Sequence, residues 1–237
     1  MIIPNSVKGA CAVHLKSVKP RPRVQNDPSS SFFGLSEKDI EAHNRITRYG
    51  DFTLTGAVAP SYDLQVVPRS GWKSITHNQD GIEIPTVRIS ASSKIVFGLF
   101  LDLAELTGQM IDVILETSHA PRCDRCHIDL IRKDMDLPVV LSVFCEFEEL
   151  LLRDGFLGVA LVNPNVPLEL NFDDHKLLNF FNWTQIEDQV RAILDRYSIK
   201  NDPEMSFITQ GEHMHLSNKK FKRQFNTLRS RIGAEPL

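Results

Sequence analysis

Apolar residues along this chain recur at two alternating periods, about 3.6 and about 2, and each change of period marks a passage between helix and strand. The first helical stretch is 36–49. Ser36 and Asp39 stand at capping-box spacing, Leu35 and Ile40 occupy staple positions, and Gly50 follows as a stop. Alternation then takes over. Phe52 and Leu54, and next Tyr62, Leu64 and Val66, are separated by polar neighbours. Runs from Trp72 to His77 and from Ile82 to Ile89 flank Asn78-Gln79-Asp80-Gly81, the composition of a hairpin turn. Pro85 puts the second run at an edge or a bulge. Residues 51–90 are expected to form a small antiparallel sheet.

The second half alternates longer helical patterns with short strands. Ser92 or Ser93 is placed to cap a helix through Leu106, stopped by Gly108, and a strand spans Met110 to Glu116. After a polar loop, Asp136 caps a helix over 137–153, with Pro138 in its first turn and Gly155 as its stop. Strands are expected at Phe156–Val162, Leu168–Phe172 and Leu177–Asn182. Thr184 and Glu187 then open a helix to Tyr197. A short strand at Met205–Thr209 and a helix at 218–232 complete the pattern. The strands at 110–116 and 156–162, with the helix at 137–153 between them, fit one right-handed crossover. The expected class is α+β, with a mixed sheet and packed helices in the C-terminal half and a small antiparallel sheet in the N-terminal half.

Residues 1–34 read as a basic tail. Pro20, Pro22, Pro28 and Ser29-Ser30-Ser31 leave too few large apolar groups to offset the entropy of ordering. Residues 35–237 read as the globular region, divided into 35–91 and 92–237. The helix over 137–153 is apolar nearly all round at its start, through Val139, Val140, Leu141, Val143 and Phe144. That breadth predicts a central position or a subunit contact, and motivates self-association through this helix.

Composition narrows the class without naming an activity. Apolar residues make up 42% and charged residues 24%, ordinary globular usage. The longest strongly apolar run, Ile95 to Leu101, is far short of the roughly 20 residues a bilayer span needs, so no membrane partner is expected. Residues 1–13 carry no long apolar stretch, and four cysteines are too few for a disulfide scaffold. Reduced thiols in a cytoplasmic setting are the expectation. The net charge of −3 is uneven: residues 1–31 carry five basic groups and one acidic, residues 217–237 six and one, and the body between is acidic. Basic ends suit nucleic acid, or the acidic body of the same or another copy.

The phosphate-loop, dinucleotide, nucleophile-elbow and HExxH motifs are missing, so no catalytic residue is assigned from motifs. The sharpest local feature is Cys123 and Cys126, followed by His127. Two thiolates at this spacing suit zinc, and His213 and His215, two apart on one face of an extended segment, offer two imidazoles to complete Cys123, Cys126, His213 and His215 as ligands. The same string reads as a haem-attachment motif, a reading that requires export to an oxidising compartment. A second cluster, Asp173, Asp174 and His175 with Glu212, His213 and His215, suits a cation or proton transfer. The last helix carries Lys219 and Lys220 in its first turn, against the helix dipole, and Glu146, Glu148 and Glu149 are candidates to offset them. The leading expectation is a non-catalytic binding or assembly protein without a required cofactor. The alternative is a metal-binding protein or metal-dependent hydrolase using zinc on Cys/His ligands, and a third reading is nucleic-acid binding by the basic ends.

Overall fold

The computed structural model describes residues 27–79, 81–119 and 127–237. In chain order the elements are α1 (Glu37–Asn44), β1 (Arg48–Tyr49), β2 (Phe52–Thr53), β3 (Val58–Pro60), β4 (Gly71–Gln79), β5 (Ile82–Ser90) and α2 (Val96–Ala104), then β6 (Met110–Thr117), β7 (Ile128–Asp136), α3 (Leu137–Glu146) and α4 (Glu148–Arg153). The chain continues through β8 (Leu157–Val162), β9 (Glu169–Phe172), β10 (Leu178–Phe181), α5 (Glu187–Arg196), β11 (His213–His215), α6 (Lys219–Ile232) and β12 (Glu235–Pro236). The α+β class expected from the patterning is the class observed.

One eight-stranded sheet has the order β12-β7-β6-β8-β9-β10-β5-β4, and its neighbours pair antiparallel throughout. The expected crossover from β6 to β8 is therefore not formed. The segment read as a polar loop contains β7, which hairpins back along β6 and reverses the chain before α3. The hairpin β4–β5 is formed as expected, and β5 pairs with β10, so it extends the large sheet instead of standing as a separate one. Two ribbons of two strands complete the strand content: β1 with β2, and β11 with β3. Tyr62 to Val66 and Met205 to Thr209 are not strands; Leu64 there has a positive φ of 52°.

Because strand neighbours alternate faces, the register divides the sheet into two chemistries. One face carries Val113, Leu115, Val159, Leu161, Leu170, Phe172, Leu178, Phe180, Val87 and Ile89, all buried in one cluster with the apolar stripes of α2, α3, α5 and α6. Phe100 of α2 sits at its centre, 5.9 Å from Phe144 and 5.2 Å from Phe172 between ring centroids. The opposite face carries a polar row. Ala160, Asn171, Asn179, Arg88 and Lys73 lie directly opposite one another across β8, β9, β10, β5 and β4.

The helix expected over 137–153 is two helices, broken at Phe147, whose φ of −112° and ψ of 20° leave the helical region. Its apolar breadth is absorbed within the chain. Leu137, Val140, Val143 and Phe144 are buried, α3 packs on β7 and α6, and Val139 is left 52% exposed. The basic last helix finds the acidic partners expected: Lys220 Nζ lies 2.6 Å from Glu149 and Arg231 Nη2 lies 3.1 Å from Glu146. These pairs are exposed and screened by solvent, so they add little to stability. The cap of α6 is Asn218: its Oδ1 accepts the N–H groups of Lys220 and Phe221 at 2.9 and 3.1 Å. Asn218→Ala is expected to cost about 1 kcal/mol, seen as a lower urea midpoint at unchanged slope. Among the described residues no helix is long and apolar enough to cross a membrane.

Candidate metal centre

At one end of β9 and β10 the hairpin turn 173–177 carries an unusual density of ionisable groups. Asp173 folds the turn around itself. Its Oδ1 accepts the N–H of His175 at 3.0 Å and of Leu177 at 2.8 Å, and its own N–H donates to Leu177 O. Lys176 takes a positive φ of 64°, which turns the loop so that its side chain runs inward. There Nζ donates to Leu157 O at 2.6 Å, over the ring of Phe172.

The second half of the site arrives on β11. Pairing with β3 sets His213 opposite Pro60 and His215 opposite Val58, and the two-residue strand period puts both imidazoles on one side. This ribbon docks on the turn between α4 and β8. The Gly155 N–H donates to Leu216 O at 2.8 Å, and the Leu216 N–H donates to Ala57 O at 2.7 Å. A Cβ on Gly155 would lie 2.2 Å from Ala57 O, so only glycine permits this approach. Glu212 faces away from the histidines. Its carboxylate accepts the Ser31 N–H at 2.7 Å and the Ser30 hydroxyl, tying the segment around 30 to β11.

Docking of β11 brings His175, His213 and His215 together, with one ligand-capable atom from each within 4.8 Å of the others. Their hydrogen bonds decide which nitrogens face inward. His213 Nδ1 is 2.8 Å from Gly211 O, and His215 Nδ1 is 2.7 Å from Gly155 O. A carbonyl only accepts, so each Nδ1 carries the proton and each Nε2 keeps its lone pair. His175 Nδ1 lies 2.8 Å from Asp174 Oδ1, which fixes the same tautomer. His175 Nε2 then meets His213 Nε2 at 3.0 Å. Two lone pairs at that separation repel unless a proton or a cation stands between them.

The electrostatics divide the three imidazoles: His175 is favoured in its charged form, and His213 and His215 are favoured neutral. Burial pushes His213 down to about 4, with the neighbouring His175 and His215 adding to the effect. His215 is lowered by burial as well. His175 is moved up: burial opposes its charge, but the Asp174 hydrogen bond and the two carboxylates outweigh it. Burial raises Asp173, whereas at Asp174 burial is overcome by the hydrogen bond and charge of His175, then by His215 and Lys176, and its carboxyl sits below the usual range. Lys176 is lowered to about 8 by burial, against the pull of Asp154, Asp174 and Asp173.

Of the expected zinc ligands, His213 and His215 are thus in one cluster, and they sit on an extended strand as anticipated. Cys123 and Cys126 lie outside the described residues, as does the body of the haem-type motif. Cys145 is exposed on α3, remote in sequence from any of these groups. The second expected cluster is largely assembled: Asp173, Asp174 and His175 join the two β11 histidines, and Glu212 does not. His119, unassigned from sequence, pairs with Asp154 at 2.6 Å, both side chains buried. Lys176 and Gly155 were also missed. The signal for Gly155 was present but read as a helix stop. No family model matches this chain, no curated protein is similar to it, and no solved structure matches it.

Proposed function

We propose that this chain binds a divalent transition ion of the zinc class through the Nε2 atoms of His175, His213 and His215, with a remaining position for water, and acts as a metal-dependent hydrolase. The observation that carries the reading is the fate of the three Nδ1 atoms. Each is held by a carbonyl or a carboxylate, the outer-shell arrangement that orients metal-ligating histidines. Three neutral imidazoles leave a fourth tetrahedral position open, and zinc in such a site lowers the pKa of bound water to about 7. Asp174 and Asp173 supply the negative charge that a buried dication requires.

The competing account of the His175–His213 contact is a shared proton, which the carboxylates beside His175 favour by raising its pKa. The two accounts connect. A ligand must give up its Nε2 proton, so zinc loading is expected to release the proton that His175 holds. Affinity should therefore rise with pH through the raised pKa of His175. Calorimetric titration in two buffers of different ionisation enthalpy reads the proton count directly, and binding without proton release would contradict this picture. The reading itself is tested by titrating the chelator-treated chain with zinc. One equivalent bound tightly is expected, and no saturable binding would reject it.

Two other readings draw less support. Self-association through 137–153 retains Val139 as its exposed apolar residue, and the basic face of α6 spends Lys220 and Arg231 on Glu149 and Glu146.

A further inference from the structure

The polar face of the large sheet carries a second feature that the metal reading does not use. Lys73 on β4 and Arg88 on β5 are register partners, directly opposite one another. Like charges in that relation are destabilising. Both are half-buried, and among the described residues neither has a carboxylate within ion-pair distance. Lys73 Nζ donates to Met205 O, and both cations flank the ring of Phe207, at 5.5 and 5.8 Å from its centroid. The aromatic ring offsets part of the repulsion without neutralising either charge.

The guanidinium of Arg88 is held in one orientation. Nε donates to Asn179 Oδ1 at 2.7 Å, and Nη2 meets His77 Nε2 at 3.4 Å. Asn179 is itself buried and its Nδ2 reaches Asp173 Oδ2 at 3.4 Å, so the amide that fixes Arg88 is fixed in turn. This uses the inner edge of the guanidinium. The outer edge, with both Nη1 hydrogens, meets no protein acceptor among the described residues. Asp173, beyond Asn179, acts on Arg88 only through space and makes no contact ion pair with it. A planar fork with its outer edge free and a second ammonium across the strand pair match the needs of a bidentate oxyanion.

We propose that Arg88, supported by Lys73 and His77, forms a phosphate-binding subsite on the polar face of the sheet. It rests on residues separate from the metal centre, and joins that reading only by naming the substrate class, a phosphate ester. From β9, which leads into the turn of His175, to β5 is two strand spacings, about 10 Å. A phosphorylated molecule held at Arg88 therefore lies on the strand next to the β9–β10 hairpin whose turn carries His175. Burial and the Arg88 charge hold His77 below its ordinary range, so at neutral pH it is uncharged and free to accept or donate as the bound anion requires.

The test is titration of the metal-free, full-length chain with inorganic phosphate, read by calorimetry. Saturable binding is expected, weakened about tenfold or more by Arg88→Gln, the loss of a charge-assisted bidentate contact. Lys73→Gln, at a position with a single backbone contact, should weaken it by a smaller factor and serves if Arg88→Gln fails to fold. His213→Ala should leave it unchanged. Absence of saturable phosphate binding, equal binding by the wild type and the folded variants, or binding of acetate in place of phosphate would overturn the proposal. Because zinc is absent throughout, these outcomes are independent of the zinc titration.

Discussion

His213→Ala is expected to weaken zinc binding by about a hundred- to a thousandfold, dividing the roughly 10–16 kcal/mol of a four-ligand zinc site among its ligands, while the chain stays folded. His213 is half-buried, lies at the edge of a three-residue ribbon, and its main stabilising contact is the local bond to Gly211 O. Truncation removes an imidazole whose charged form the site disfavours, so the metal-free protein loses little. In the metal-bound state the same truncation removes a ligand. Competition titration against a chromophoric chelator measures the difference, with Cys145→Ser as the control that should match the wild type. Equal zinc affinity in His213→Ala and wild type would remove β11 from the site.

Gly155→Ala is expected to combine a stability loss with a binding loss. The added Cβ would meet Ala57 O at 2.2 Å and Leu216 N at 3.0 Å, and both are backbone atoms that no rotamer change can move. Relief requires the β3–β11 ribbon to lift from the turn. That breaks the Gly155–Leu216 bond and draws His215 Nδ1 away from Gly155 O. Overpacking of this kind costs about 3 kcal/mol, and losing the outer-shell carbonyl of a ligand histidine costs roughly 10–100-fold in metal affinity. Urea unfolding of the metal-free variant reads the first effect and zinc titration the second. A variant with wild-type stability would show that the ribbon is not seated on Gly155 as described.

How far the sequence carried depends on the range of the interaction in question. The capping box of Ser36 and Asp39, the hairpin around Asn78 and Gly81, and the strands ending at Phe172 and Phe181 are set by neighbours within a few residues, and they were legible. Strand β7 was not. Arg132, Lys133 and Asp134 interrupt its alternation, and it tolerates them because only the two-residue β12 covers its outer side. A bulge where the Asp134 N–H donates to Asp112 Oδ1 at 2.9 Å hides its period further. With β7 unread, β6 and β8 looked like parallel partners.

The site divides in the same way. That His213 and His215 share a side follows from strand geometry, and Asp173-Asp174-His175 was visible as a turn with chemistry. Their meeting was not visible, because it depends on a ribbon 38 residues further along the chain seating on Gly155. No local pattern encodes that docking. The tautomers that leave the Nε2 lone pairs of His213 and His215 available depend on carbonyls at 211 and 155, and backbone acceptors leave no mark in a sequence.

X-ray absorption at the zinc edge, on the full chain loaded with one equivalent of zinc, addresses the centre most directly. Convergence of His175, His213 and His215 predicts a first shell of nitrogen and oxygen at about 2.0–2.1 Å with the multiple scattering of three imidazoles. A shell containing sulfur at about 2.3 Å would instead place cysteine thiolates on the ion and contradict the three-histidine site.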